Sequence, residues 1–431
     1  MLDWLLNLRI NSAPFLVTID TLSAVAFVFL ILRRPTWRWV FTIVIAVIAG
    51  LALGYLACWL ASDVFDVFGV DLTPITRMWV AFGFAGVAVA IVNLTHSRWW
   101  RKIIAIVCIP LFLATAATGI NVEFAMYQSA GDVLGLSQFS TGSLGHERGD
   151  AGSTDASVVS DWKPPTDLPS HGRVVSVSIP GTVSHFDARP AVVYLPPAAL
   201  VARPPVLPVI IMMSGQPGNP SNVFTAGHVN SLMDAYAAAH HGLAPIVLSP
   251  DQLGEPSNNP MCVNSPLGNS ATYITVDVVR WIRAHLLVSA KASGWGVAGF
   301  SQGATCAVQF SAGYPQLFTT MVAISSQVAP TIGASTVATA FGGSQATYDA
   351  AMPLALLAKN APYAHRLMVF GVGENDAKYR AFATILASAA AKAGMNTQLI
   401  VSPNTAHDWN TVRYVMEKSL PEVAGRLGIA P

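Results

Sequence analysis

Charge is what this sequence has least of. Only 11% of its 431 residues are Asp, Glu, Lys or Arg, and the two signs nearly cancel at a net charge of +1. With no basic field and no Lys/Arg cluster in its C-terminal part, the chain lacks the electrostatic footprint of a nucleic-acid binder. Cysteine is scarce too. The four that exist, Cys58, Cys108, Cys262 and Cys306, show no metal-ligand spacing with histidine, so no metal site is expected. Internal repeats and heptads are also missing, which excludes solenoids and long coiled coils.

Hydrocarbon takes the place of charge. Hydrophobic residues make up 53% of the chain, and the excess lies in four runs before residue 121, at about 15–32, 39–61, 78–94 and 103–120. Each is near the roughly 20 helical residues that cross a bilayer core, and none keeps the polar stripe of a soluble bundle helix. Arg33, Arg34 and Arg38 fill the first connection and Arg98, Arg101 and Lys102 the third, whereas the second carries Asp63, Asp66 and Asp71 against Arg77. Cation-rich loops stay in the cytoplasm, so the second connection and both ends of the chain are expected outside. Residues 1–10 carry no small-residue cleavage pattern, and the first run is read as an uncleaved anchor. Asp20 lies inside that run; an acid there either reaches the interface or marks a pathway or a polar contact between helices.

Composition shifts after the fourth run. Residues 121–136 read as an interfacial segment, and 137–170, rich in Ser, Gly, Asp and Pro, as a flexible linker. The expected organisation is a four-helix transmembrane anchor over 1–120, this interfacial segment and linker over 121–170, and a catalytic domain over 171–431.

From residue 171 strands and helices alternate, as a mostly parallel sheet with helices on both faces requires. Strands are expected at 173–179, 191–195, 206–213, 244–249, 295–300, 319–325, 366–370 and 397–401. Helices are expected at 230–240, 270–287, 302–314, 346–359, 379–393 and 410–427. This is the order of an α/β-hydrolase domain. The pentad Gly299-Phe300-Ser301-Gln302-Gly303 joins an apolar strand to a small-residue helix start, the sequence form of a nucleophile elbow. Two later loops at strand ends supply the remaining groups of a triad in the order Ser, Asp, His. His407 is the base, and Asp376 is the acid that orients it, with Glu374 as the alternative. The oxyanion donors are the backbone N–H of Gln302 and that of Gln216 in the turn Ser214-Gly215-Gln216-Pro217-Gly218. Cys262 and Cys306 are either a disulfide pair, as an even number of cysteines in an oxidising compartment suggests, or two buried thiols.

Over about residues 206–428 the chain resembles the esterase family of α/β-hydrolases that includes esterase D, feruloyl esterases and the antigen 85 mycolyltransferases. The resemblance rests on Ser214-Gly215-Gln216, the pentad around Ser301, the run from Gly373 to Tyr379 and His407-Asp408-Trp409. Actinobacterial envelope proteins with several spans before such a head look similar overall. The resemblance implies carboxyl-ester hydrolysis or acyl transfer with no metal and no cofactor. Ser214 stands where many relatives have histidine, and Gln302 where the mycolyltransferases have methionine. The expected function is that of a membrane-anchored, extracytoplasmic serine esterase whose partners are the bilayer and a lipid-linked ester, such as an acylated or aminoacylated envelope lipid. An envelope acyltransferase and a non-catalytic scaffold with a hydrolase-like head are the alternatives.

Cation placement makes a topological prediction. In a background without the native cysteines, cysteines at Arg34 and Ser97 stay unlabelled by an impermeant maleimide on intact cells, whereas one at Ser153 reacts. Labelling at 34 but not at 153 would invert the orientation.

Overall fold

Four long helices carry the apolar runs: α1 (Ala13–Ile31), α2 (Trp37–Trp59), α3 (Pro74–Leu94) and α4 (Trp99–Phe124). Their starts follow local rules. Pro14 and Pro74 sit in the first turns of α1 and α3, and the hydroxyls of Thr36 and Thr73 accept the N–H groups of Trp39 and Thr76 at the starts of α2 and α3. α2 continues into a π-helical turn, Leu60–Val64. With 19, 28 (π turn included), 21 and 26 residues, all four are long and apolar enough to cross a membrane. The structure is a computed structural model that describes residues 3–67, 69–95, 97–134, 139–140 and 162–429.

Met1–Leu136 and Ser137–Pro431 form separate compact units. In the first, α2 and α3 meet through small residues: a Cβ on Gly50 or on Gly54 would fall 2.6 Å from the Cα of Ala85 or of Ala81. Backbones approach this closely where helices associate without a hydrophobic drive between them. Val17, Val25, Ile48, Ile91 and Val107 are more than half exposed on the outside of the unit. Water would penalise such a surface, and lipid would not. Polar groups gather at the two ends instead. At one, Arg101 donates to the carbonyls of Phe29 and Leu30 at 3.0 and 3.3 Å, and Asn93 also donates to Leu30, which satisfies the C-terminus of α1. At the other, Thr73 and Thr76 donate to Glu123, and Arg77 pairs with Asp63 at 2.8 Å.

α4 runs on to Phe124 and a short helix, Ala130–Val133, follows, so the start of the expected interfacial segment is the end of the fourth helix. Residues 135–138 and 141–161, most of the expected linker, lie outside the described residues. The described parts of 137–170 are held on the second unit. The Phe139 ring lies 6.1 Å from that of Phe224, Ser140 accepts the N–H of Ser176, and the Trp162 indole donates to the carbonyl of His241 at 2.9 Å. Two aromatic anchors in an otherwise polar stretch account for this.

The second unit is built on eight strands: β1 (Arg173–Val177), β2 (Ala191–Leu195), β3 (Val209–Met213), β4 (Ile246–Ser249), β5 (Trp295–Phe300), β6 (Thr320–Ile324), β7 (Leu367–Gly373) and β8 (Asn396–Ser402). Their order across the sheet is β1-β2-β4-β3-β5-β6-β7-β8. The pairs β1/β2 and β2/β4 are antiparallel and the rest parallel. Parallel strands need crossovers, and these are helical: α5 (Val229–Ala239) between β3 and β4, α6 (Gln302–Gly313) between β5 and β6, and α7 (Ala377–Lys392) between β7 and β8. α8 (Trp409–Arg426) closes the chain and buries Val412, Val415, Met416, Leu420 and Val423, spaced as one helical face. β3, β5, β6 and β7 are buried along their whole length, as strands covered on both faces must be, whereas the edge strand β8 is partly exposed.

All eight expected strands are present. Two helices depart from expectation. The stretch 346–359 is two helices, Gln345–Ala351 and Pro353–Lys359, because Pro353 disfavours a helical conformation at Met352. The stretch 270–287 contains a π-helical segment, Tyr273–Val278.

Cys262 and Cys306 form a disulfide with their Cα atoms 5.3 Å apart, while Cys58 and Cys108 are free and buried. The bridge closes a separation of 44 residues. In a chain-entropy account such a closure stabilises by about 4 kcal/mol. The Cys262→Ser/Cys306→Ser double variant is therefore expected to melt well below the wild-type chain in detergent; an unchanged melting temperature would mean that the bridge contributes no stability.

Candidate active site

Register brings the chemistry to one edge of the sheet. Met213 pairs with Gly299, Phe300 with Ile324, Ile324 with Gly371 and Gly373 with Ser402, so the carboxyl ends of β3, β5, β6, β7 and β8 are aligned. The loops that follow hold Gln216, Ser301, Ser325, Asp376 and His407. Open parallel sheets collect their reactive groups at this edge.

Ser301 has φ 55° and ψ −115°, a strained conformation for a residue with a Cβ. Its N–H donates to the Ile324 carbonyl at 2.9 Å, and its carbonyl accepts the N–H of Thr305 at 3.0 Å. The turn is tight enough that a Cβ on Gly299 would lie 2.2 Å from the carbonyl of Gly303. Glycine is demanded here by contact. The result is a serine partly exposed between a buried strand and a buried helix.

His407 and Asp376 meet directly, Nδ1 to Oδ2, at 2.8 Å. Asp376 is 6% exposed and occupies the cap position of α7, yet its side chain makes no cap bond. It turns instead toward the imidazole, and Ser325 donates a second hydrogen bond to the same oxygen at 3.2 Å. Glu374 is exposed and accepts the N–H of Asn404 at 2.9 Å, bracing the histidine loop from outside. Of the two acids considered, Asp376 is the one against the histidine. The two loops touch so closely that a Cβ on Gly373 would lie 2.4 Å from the carbonyl of Ala406.

The imidazole is held by rings as well. Phe300 and Tyr379 lie 5.0 and 4.2 Å from it, centroid to centroid. Its Nε2 is buried and makes no hydrogen bond among the described residues. With Nδ1 committed to Asp376, Nε2 is the nitrogen left to exchange a proton. Asp408 beside it is structural: it accepts the N–H groups of Ala406 and Thr411 and starts α8, and burial pushes its carboxyl above the ordinary range against those bonds.

The Ser214–Gly218 turn lies against the serine, since a Cβ on Gly215 would come within 3.3 Å of Ser301 Cβ. Arg189 fixes this turn by donating to the Gly218 carbonyl at 3.0 Å while making a two-pronged pair with buried Asp251 at 2.9 and 2.7 Å. Gln302 is the first residue of α6, where a backbone N–H has no acceptor within the helix. The N–H of Gln216 likewise has no acceptor among the described residues. The Gln302 side chain is fully engaged. Its amide donates to Asn259 at 3.0 Å and to Cys262 Sγ at 3.5 Å, and it accepts from Gln252, which also donates to the Ser214 carbonyl at 2.7 Å.

Sequence reasoning missed Ser325, Tyr379, Arg189, Asp251, Gln252 and Asn259. Ser325 had the one available signal, its place directly after a central strand; the others act across sequence distances of tens of residues.

A family model described as "Putative esterase" matches residues 187–414, more than half of the chain. The chain belongs to this family. With it comes the class, a hydrolase acting on carboxylic esters. An uncharacterized protein of Corynebacterium glutamicum is 27% identical over 445 residues, covering all of both chains. Among solved structures, a ferulic acid esterase is similar with TM-score 0.51 at 17% identity, over 61% of this chain and all of that one. An S-formylglutathione hydrolase from Agrobacterium tumefaciens is similar with TM-score 0.50 at 18% identity, over 60% of this chain and 97% of that one. These two likenesses concern the fold of the esterase domain.

The geometry ranks the acids. Asp376→Asn is expected to lower kcat/KM for a p-nitrophenyl ester by about 10⁴-fold, while Glu374→Gln costs less than about tenfold. A reversed ranking in steady-state assays would move the role to Glu374.

Proposed function

We propose that the protein is a membrane-anchored serine esterase that uses Ser301, His407 and Asp376 as a catalytic triad on a lipid-borne ester. The observation that carries this reading is the 2.8 Å bond between His407 Nδ1 and Asp376 Oδ2, on loops at the same sheet edge as the strained Ser301 elbow. His407 Nε2 takes the proton of Ser301 as its oxygen attacks the acyl carbon, and Asp376 stabilises the imidazolium that forms. The N–H groups of Gln216 and Gln302 receive the oxyanion. Collapse of the tetrahedral intermediate returns the proton to the leaving alkoxide and leaves an acyl-Ser301. Water, deprotonated by the same histidine, then releases the acid.

Four helices of membrane-spanning length support the anchor, and the placement of arginines and lysine in the first and third connections supports an extracytoplasmic head. An anchor raises the effective concentration of esters that reside in the bilayer. Acylated or aminoacylated envelope lipids are the substrate class this favours.

Ser301→Ala tests the mechanism. In the full chain in detergent it is expected to reduce p-nitrophenyl ester turnover by roughly 10⁵- to 10⁶-fold and to abolish labelling by a fluorophosphonate, with an unchanged melting temperature. Wild-type turnover in the variant would rule out Ser301 as nucleophile.

A further inference from the structure

The membrane unit holds a cavity of about 510 Å³ that an anchor does not require. Its size falls within the roughly 300–1,000 Å³ of small-molecule sites. Phe27, Phe82 and Phe112 line it with rings, and Asp20, Ser23 and Thr115 supply a polar strip. Asp20 and Ser23 are three residues apart on α1 and therefore share a face. Thr115 donates to the Leu111 carbonyl at 2.9 Å, and the Ser23 and Thr115 hydroxyls are 2.6 Å apart, so Ser23 is the donor of that pair and keeps an open lone pair. Asp20 is exposed, with no ion pair and no hydrogen bond among the described residues.

Depth can be read from helix geometry. Asp20 lies seven residues into α1, about 10 Å along the axis from its first turn. That turn is at the end of the unit where Ile10 and Ala130 pair with Gln128 and Leu8, and from which the chain leaves α4 toward the second unit. The carboxylate is thus within the leaflet on that side, below the interface and facing a cavity. An ionised acid facing hydrocarbon is costly unless a cation joins it. None of the chain's own cations does so among the described residues.

We infer that this cavity binds a lipid whose polar end carries a protonated primary amine. The ammonium donates to Asp20 and to Ser23 Oγ, and an acyl chain lies among Phe27, Phe82 and Phe112, whose faces also tolerate the cation. This deepens the esterase reading and rests on it for its consequence: of the acylated and aminoacylated lipids, the aminoacylated ones are the substrate class that the membrane unit gathers.

Binding can be tested apart from turnover. The Ser301→Ala full chain is placed in phosphatidylglycerol nanodiscs with a small fraction of an alanyl ester of diacylglycerol that carries a diazirine in one chain. After irradiation, adducts are expected on α1, α3 and α4 around Phe27, Phe82 and Phe112. Adding Asp20→Asn should reduce them about tenfold, the scale of one lost charged hydrogen bond. The N-acetylated probe should label the chain equally and weakly with and without Asp20→Asn. Ala24→Phe, which fills the cavity and spares the carboxylate, should also lose the adducts. Equal labelling by the amine and N-acetyl probes, undiminished labelling in Asp20→Asn, or labelling that survives Ala24→Phe would each overturn the site. Wild-type turnover of a soluble p-nitrophenyl ester reports on the head separately: its absence with amine-dependent labelling intact would sink the esterase reading and support the lipid site.

Discussion

The positive φ of Ser301 is the constraint on which the catalytic half depends. Holding a serine at φ 55° costs on the order of 1–3 kcal/mol, which the surrounding structure must overdetermine. It does so from both sides. β5 is buried along its length and paired with β3 and β6, and α6 is buried on nearly every residue. The bond from Ser301 N–H to the Ile324 carbonyl locks the turn to the neighbouring strand, so the serine's position is set by the sheet rather than by a loop. Asp376 and His407 inherit the same precision, because the paired ends of β7 and β8 deliver them and the Gly373 to Ala406 contact permits no slack between their loops.

Much of this was visible in sequence because the signals were local. A run such as Val209 to Met213 is uniformly apolar because it is covered on both faces, and the elbow joins such a run directly to small residues. The choice of Asp376 over Glu374 was harder, since both follow β7 within three residues. What separates them is that Asp376 forgoes capping α7 to reach the imidazole, while Glu374 points outward to Asn404. Composition cannot express that. Nor can it express Arg189 and Asp251, which meet across 62 residues to hold a carbonyl of the Ser214–Gly218 turn. The break at Pro353 was legible in principle and was overridden by the apolar pattern running through it.

The two units answer to different solvents. In the head, apolar side chains fill the inside and polar loops carry function; in the membrane unit the exposed surface is apolar, and the polar groups sit at the ends or within the helix bundle. Arg101 with Asn93 at one end, and Thr73, Thr76 and Glu123 at the other, are satisfied by partners inside the chain. Against that pattern Asp20 stands out. The same rule that explains these polar groups leaves this carboxylate without a partner from the chain among the described residues, which is why a ligand from the bilayer is the economical way to complete it.

The Gln302 side chain is the hub of the polar network behind Ser301. Here the Gln302 amide engages Gln252, Asn259 and Cys262 at once, and all three are buried. Methionine at 302 would leave the Gln252 and Asn259 amides each short of a partner in a dry site, a loss of about 1–3 kcal/mol per group. The glutamine therefore belongs to a set that includes the 252–262 loop and the disulfide pinning that loop to α6. One consequence is mechanical. Gln252 links the Ser214 carbonyl to Gln302, so the strand-end turn carrying Gln216 and the helix start carrying Gln302 are fastened to each other through a side chain. The two N–H groups proposed as oxyanion donors, on separate segments, are thereby held together, which is the preorganisation that stabilisation of a developing negative charge requires.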